Sequence, residues 1–250
     1  MFTPDSRSHL RDSLIALARV DIDVAGAALV GSAARGAEDA WSDIDLVLQL
    51  VPDADEAAVA DRFTRWMDTE AGTADTLDVV AGGVRYRVFL LSTSLQVDIS
   101  FWPHHEFRAT TDEGFQLIFG STNPATLPPA PKISEAVGMG WLCALHARSA
   151  LARGKLWQAV TMLDDLRNQI LTLACARHDL NAWHGREIDR LPADELAALA
   201  HARPAQVTKE AIEVALRISI ELFLDEIAHH DPARAARLLE PLRSLTSNER

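Results

Sequence analysis

The apolar positions of the chain change their period near its middle. In the first half, helical and extended patterns alternate. RSHLRDSLIALARV places Leu10, Leu14 and Leu17/Ala18 at helical spacing. GAALVG reads as a strand, SAARGAED as a short helix and IDLVLQL as a second strand. DADEAAVADRFTRWMDTE opens on aspartate capping signals and continues with helical periodicity. TLDVVAG, VRYRVFLL and LQVDISFW follow as three strands, joined by Gly-Gly and by Ser-Thr-Ser. The last of these alternates cleanly. Leu95, Val97, Ile99 and Phe101 face one way; Gln96, Asp98, Ser100 and Trp102 face the other, which puts Asp98 on the polar face.

The stretch GSTNPATLPPAPK, residues 120–132, holds four prolines and two threonines and reads as a linker or crossing loop. Beyond it the pattern is almost wholly helical. Helices are expected near 133–153, 155–179, 192–202, 207–230 and 232–245. Gly154 and His184-Gly185 serve as breaks, and Pro192 and Pro232 suit first-turn positions. The expectation is an α+β domain over 1–130, with a mixed, mostly antiparallel sheet flanked by helices, and an all-α bundle over 131–250.

Composition narrows the function classes. No apolar run reaches about 18 residues, so no transmembrane helix is expected. The first 25 residues lack the three regions of a signal peptide. Cys143 and Cys175 fall inside apolar helical patterns and are expected to be buried free thiols of a cytoplasmic protein. With two cysteines and no CxxC, a zinc or disulfide framework is not expected. The net charge of -12 is unevenly spread. Residues 1–130 carry 9 Arg, no Lys and 20 acidic residues; residues 131–250 carry 15 basic and 16 acidic. The first half repels a polyanion and attracts cations, which disfavours nucleic acid and suits divalent metals or a cationic small substrate. Acidity that merely maintains solubility accounts equally well for most of these charges.

The chemistry concentrates in GSAARGAEDAWSDIDLVL. Gly31-Ser32 turns out of a strand into a helix start, where unpaired backbone N–H groups and the helix dipole favour an anion such as phosphate. Gly31 permits close backbone approach, and the Ser32 hydroxyl adds a donor. Asp43 and Asp45, i and i+2 on a strand, both project to one face. Two carboxylates so close repel unless a metal, an arginine or water lies between them. Magnesium prefers a few carboxylates plus substrate phosphates, and Asp98 on a later strand offers a third carboxylate. Three acids around two metals is a recurrent solution for in-line phosphoryl or nucleotidyl transfer.

The ordered string GSAARG…SDIDLVL, with Asp98 in the later strand stretch VRYRVFLLSTSLQVDISFWP, resembles the nucleotidyltransferase superfamily, and within it the antibiotic-modifying and minimal branches. The resemblance implies a nucleotidyltransferase core in front of a helical bundle. It implies that Gly31 and Ser32 hold the β- and γ-phosphates of a nucleoside triphosphate. Asp43 and Asp45 would bind two magnesium ions, and Asp98 would ligate a metal, accept the proton of the attacking hydroxyl, or both. Arg35, one turn beyond Ser32, is within reach of a phosphate in this reading, and Ser42 would orient the triphosphate or a metal ligand. The implied reaction moves a nucleoside monophosphate, AMP by preference, from ATP or another triphosphate to a hydroxyl of a small acceptor. Cationic aminoglycosides are favoured among acceptors because the first domain is acidic. A protein or tRNA acceptor, or a non-catalytic nucleotide-binding module, are the rival readings.

The helical half adds two arginines inside apolar stripes, Arg148 and Arg167, each costly unless paired. Pairing with an acid such as Asp164, Asp165 or Glu221, snorkelling to the surface, and contact with a triphosphate are all open for them. Lys155, one of three lysines, is a further candidate for triphosphate contact. Trp102, His104 and His105 either flank the acceptor or hold a loop. Trp157 and Trp183 are expected in packing roles.

Overall fold

The computed structural model describes residues 1–110, 114–126 and 130–246. Residues 127–129 of the expected linker lie outside the described residues. Contacts divide the chain into two compact units, Met1–Pro129 and Ala130–Arg250.

The first unit is α+β. Its elements are α1 (Pro4–Val20), β1 (Val24–Val30), α2 (Gly31–Ala34), β2 (Ile44–Leu50), α3 (Glu56–Trp66), β3 (Thr73–Ala81), β4 (Val84–Leu91), β5 (Gln96–Trp102) and β6 (Phe115–Phe119). The strands form one sheet in the order β3-β4-β5-β2-β1-β6. All neighbours are antiparallel except β2 and β5, which pair in parallel. The starts of α1 and α3 are capped. The Thr3 hydroxyl accepts from the Ser6 amide ahead of Pro4, and Asp55 caps α3 through the Ala58 amide. A π-turn, Met67–Ala71, extends α3 and ends at Gly72, whose φ of 70° lets the chain reverse into β3.

Strand alternation gives the sheet two unlike faces. One is covered by α1 and α3: Leu14, Ala18, Val59 and Phe63 pack on Ile44, Leu46, Leu48, Phe89, Val97, Ile99 and Phe101. Phe63 meets Phe101 edge-on at 6.0 Å. The opposite face carries only a small cluster, Ala28, Val47 and Phe107, with Val30, Trp102 and Phe115 packed against it. That second face holds the acids. Strand β6 is not foreseen from the sequence. FQLIF is short and lacks period-two alternation, and it becomes a strand by pairing with β1. The helix expected over SAARGAED is a single turn, because Gly36 takes the left-handed conformation at φ 63° and ends it.

The second unit comprises α4 (Ile133–Ala152), α5 (Leu156–Arg177), α6 (Ala193–His201), α7 (Lys209–His230) and α8 (Pro232–Arg243). Their boundaries lie within about two residues of those expected. Its core joins Val137, Ala144, Leu151, Leu163, Ile170, Leu173, Leu216, Ile220 and Phe223. Arg177 ties α5 to α6 and α7 by ion pairs to Glu195 at 2.9 Å and to Glu226 at 2.7 Å. Cys143 and Cys175 are free and buried, and burial pushes both thiols up. Neither Trp157 nor Trp183 packs as expected: they are 74% and 66% exposed. Trp157 sits just outside the Leu156–Val160 stripe, in the first turn of α5, and Trp183 stacks on His184 with ring centroids 4.6 Å apart. Among the described residues, no helix is long and apolar enough to cross a membrane.

One close contact sets the packing of α4 on α7. A Cβ at Gly140 would lie 2.2 Å from the ring of the fully buried Phe223. Gly140→Ala therefore destabilises the protein, although alanine gains up to about 1 kcal/mol in helix propensity. Overpacking costs about 1–3 kcal/mol, so a net loss is expected in urea unfolding. Phe223→Leu in the same chain should recover part of it; a more stable Gly140→Ala protein would contradict the contact.

Candidate active site

The parallel pairing of β2 with β5 sets Asp45 directly opposite Asp98. Directly opposed residues share a face, so both carboxylates emerge on the sparsely covered side of the sheet. Asp43 stands just before β2 rather than within it. Its charge still reaches Asp98, whose carboxyl is held above its usual range, first by burial and then by the repulsion of Asp43; a Gln96 side-chain hydrogen bond opposes both. Gln96 Nε2 donates to both Asp98 oxygens at 3.2 Å.

Gly31 closes the site from β1. Its φ is 67°, and a Cβ there would sit 2.1 Å from Asp45 Oδ2. Two constraints meet at this residue: a left-handed backbone, and a carboxylate lying against the main chain. The turn that follows is tight. The Gly36 and Ala37 amides bond back to the Ala33 and Ser32 carbonyls. With only four residues in α2, the first amides of the turn have no intrahelical acceptor. What the turn offers an anion is those amides, with no long helix behind them. Ser32 is half-buried and Arg35 is exposed.

The loop from Glu38 to Asp43 is fixed from below by a residue that the sequence reading missed. Arg7 of α1, 3% exposed, donates through Nη1 to the carbonyls of Asp39 and Ser42. Its Nε lies 3.2 Å from Glu38 Oε1, and Arg11 Nη1 holds Glu38 Oε2 at 2.6 Å. Within the loop, Asp39 Oδ1 accepts from the Trp41 amide at 2.8 Å and from the Ser42 hydroxyl at 3.1 Å, and the Asp39 amide donates to Ser42 Oγ. The Ser42 hydroxyl is thus engaged in bracing the loop that presents Asp43. Arg7 had a signal of the kind read at Arg148 and Arg167: it continues the Leu14–Ala18 stripe one helical repeat earlier.

The far end of the same face is closed by the segment after β5. Phe107 is fully buried against Ala28 and Val47 and meets Phe115 edge-on. The His104 carbonyl accepts from Gln49 Nε2 at 3.1 Å and from Asn123 Nδ2 at 2.8 Å. Trp102 Nε1 donates to Ser100 Oγ at 2.9 Å. His104 holds this loop through its backbone carbonyl, and the rings of His104 and His105 are exposed.

The structure brings Gly31, Asp45 and Asp98 together by contact and register, and Asp43 by its field. In the second unit, Arg167 Nη2 pairs with Asp164, while its Nη1 is buried without a hydrogen-bond partner. Arg148 Nε is likewise buried and unpartnered. Lys155 is exposed at the N-cap of α5. Among the described residues, no three His, Cys, Asp or Glu side chains form a ready-made metal cage.

No protein-family model matches the chain, and no curated protein matches its sequence. Among solved structures, the crystal structure of an aminoglycoside 6-adenyltransferase from Bacillus subtilis aligns over 96% of this chain and 98% of its own length, with 10% identity and a TM-score of 0.41.

Two outcomes test this geometry. Arg7→Met removes the two carbonyl contacts and leaves Arg11 as the remaining cation on Glu38; it should cost about 1–3 kcal/mol, with faster hydrogen exchange concentrated in residues 38–43. Unchanged exchange there would show that the loop is held by other means. Asp98 gives a pH test in EDTA. Its folded pKa lies above the unfolded value, so the native state binds more protons and stability falls as pH rises through the folded pKa. Asp98→Asn should raise the Tm at pH 7, with the gain vanishing below about pH 4.

Proposed function

We propose that the first unit is a magnesium-dependent nucleotidyltransferase that moves a nucleoside monophosphate, AMP by preference, onto a hydroxyl of a small acceptor. The observation that carries this reading is the contact of Gly31 with the Asp45 carboxylate, in a sheet that also sets Asp45 opposite Asp98. It supports a reading in which the turn amides proposed to bind phosphate lie beside the carboxylates.

The residues suit magnesium. The donors are hard oxygens, the kind that magnesium takes together with substrate phosphates. Asp43, Asp45 and Asp98 would hold two such ions, whose contribution when bound is to neutralise charge on the phosphates. The chain does the rest. Gly31 and Ser32 bind the β- and γ-phosphates through the turn amides and the serine hydroxyl. Arg35 adds charge beside them, and Ser42, with Arg7 beneath, keeps Asp43 in place. Lys155 and Arg167 are proposed as further triphosphate contacts on the ground of charge.

Asp98 is the proposed base. Burial and the Asp43 charge raise its proton affinity, which makes it a better acceptor than an ordinary surface carboxylate. As it takes the hydroxyl proton, the acceptor oxygen bonds to the α-phosphorus and the bond from that phosphorus to the bridging oxygen breaks. Pyrophosphate leaves in line. Catalysis here is positioning and charge neutralisation.

Pyrophosphate release with each of the four triphosphates and a panel of hydroxylated amines, aminoglycosides included, tests the reading. Asp43→Asn and Asp45→Asn should each lower turnover by on the order of 10²–10³ or more, with unchanged far-UV circular dichroism. Near wild-type turnover in either variant would overturn the assignment.

A further inference from the structure

The acid face continues beyond Asp98, and its character changes there. Strand register resolves it into rows. One row runs Asp45, Asp98, Val88, Leu77 across β2, β5, β4 and β3. The next runs Val47, Ser100, Tyr86, Val79. On the other side of the acids, Gln96, Leu90 and Asp75 form a third. The acids therefore border an apolar field made by β3 and β4. It is open: Leu77 is 61% exposed, Leu90 49% and Val79 44%. Tyr86 lies half-buried within it, its hydroxyl pKa raised by burial.

Charge is sorted between the two faces. The arginines of β4 all leave this one. Arg85 pairs with Asp78 and Glu56, and Arg87 with Asp78 and Asp61, on the helix-covered side. On β2, β5, β4 and β3, the charged residues in these three rows are carboxylates: Asp45, Asp98 and Asp75. Such a surface disfavours an anion and accepts an apolar body that is neutral or cationic.

Position within the reaction selects the occupant. The proposed phosphate turn lies at β1, on one side of Asp45 and Asp98. In-line displacement puts the entering oxygen opposite the departing pyrophosphate. The acceptor's body then falls on the other side of Asp98, over β5, β4 and β3. We propose that Val88, Tyr86, Leu77, Val79 and Leu90 form the acceptor platform, and that the acceptor is a hydroxylated small molecule with an apolar, ring-sized skeleton and a neutral or positive charge. This rests on the nucleotidyl-transfer reading and narrows it. From Asp98 to Leu77 is two strand spacings, about 10 Å, and adjacent rows are about 7 Å apart, room for one or two rings. A polyhydroxylated polycation without apolar surface would leave the field unused.

Tyr86 is the only tyrosine in the chain, so fluorotyrosine labelling gives one fluorine resonance at the platform. The probes are phenylethanolamine and ethanolamine, which share an amino-alcohol head and differ by the ring. Phenylethanolamine should shift the resonance saturably and ethanolamine should not. Leu77→Ser with Val79→Ser should weaken the phenyl probe about tenfold. Val80→Ser, on the opposite face of the same strand, should leave its binding unchanged. Equal responses to both probes, or none, overturn the platform. So does a double variant that alters only self-association in light scattering, because the field would then be an interface between copies. Calorimetry of magnesium-dependent ATP binding on the same protein separates the two claims. Nucleotide binding without a probe shift removes the platform and leaves the transfer reading. A probe shift without nucleotide binding removes the transfer reading, and with it the acceptor role.

Discussion

Two carboxylates directly opposite each other on paired strands are an unfavourable arrangement, and the first unit is built around one. Like charges across a strand pair cost stability, yet Asp45 and Asp98 face each other at the junction of β2 and β5. The apolar residues that alternate with them hold the register: Ile44, Leu46, Val97 and Ile99 are all buried on the other face. A slip by one residue would turn these four outward. The core thus fixes where the acids stand, and Gly31, pressed on Asp45, leaves that carboxylate little freedom to turn away.

Support for the site comes from elements that carry none of its chemistry. Arg7 belongs to α1, yet its guanidinium fastens the carbonyls of the loop that delivers Asp43. Phe107 and the His104 carbonyl close the far end of the acid face, so its open part lies between the Gly31 turn and the β3–β4 hairpin. The salt bridges of Arg85 and Arg87 also help, by keeping positive charge on the helix side of the sheet.

Much of this was legible in the sequence because local rules carry it. The clean alternation of LQVDISFW placed Asp98 correctly on the polar face. Gly154, Pro192 and Pro232 marked helix limits in the second unit to within about two residues. What escaped depended on partners remote in sequence. Strand β6 exists through its pairing with β1. Trp157 and Trp183 were assigned to packing from residue type, which does not fix which side of a stripe an indole occupies. Arg7 was overlooked although its place in an apolar stripe gave the same warning as Arg148 and Arg167. The rows leading from Asp98 to Leu77 needed the register of three strands, which no single segment contains.

The parallel β2–β5 pair also orders assembly in time. The β3–β4 hairpin is joined by Gly82-Gly83 and forms from neighbouring residues, as does the β4–β5 turn. Parallel strands cannot be joined so briefly; α3 and the whole hairpin lie between β2 and β5. Closing that distance carries more loop entropy than either neighbouring hairpin, so Asp45 meets Asp98 after those local pieces exist. The two acids are therefore brought together late, when the apolar neighbours that set their register are already in place.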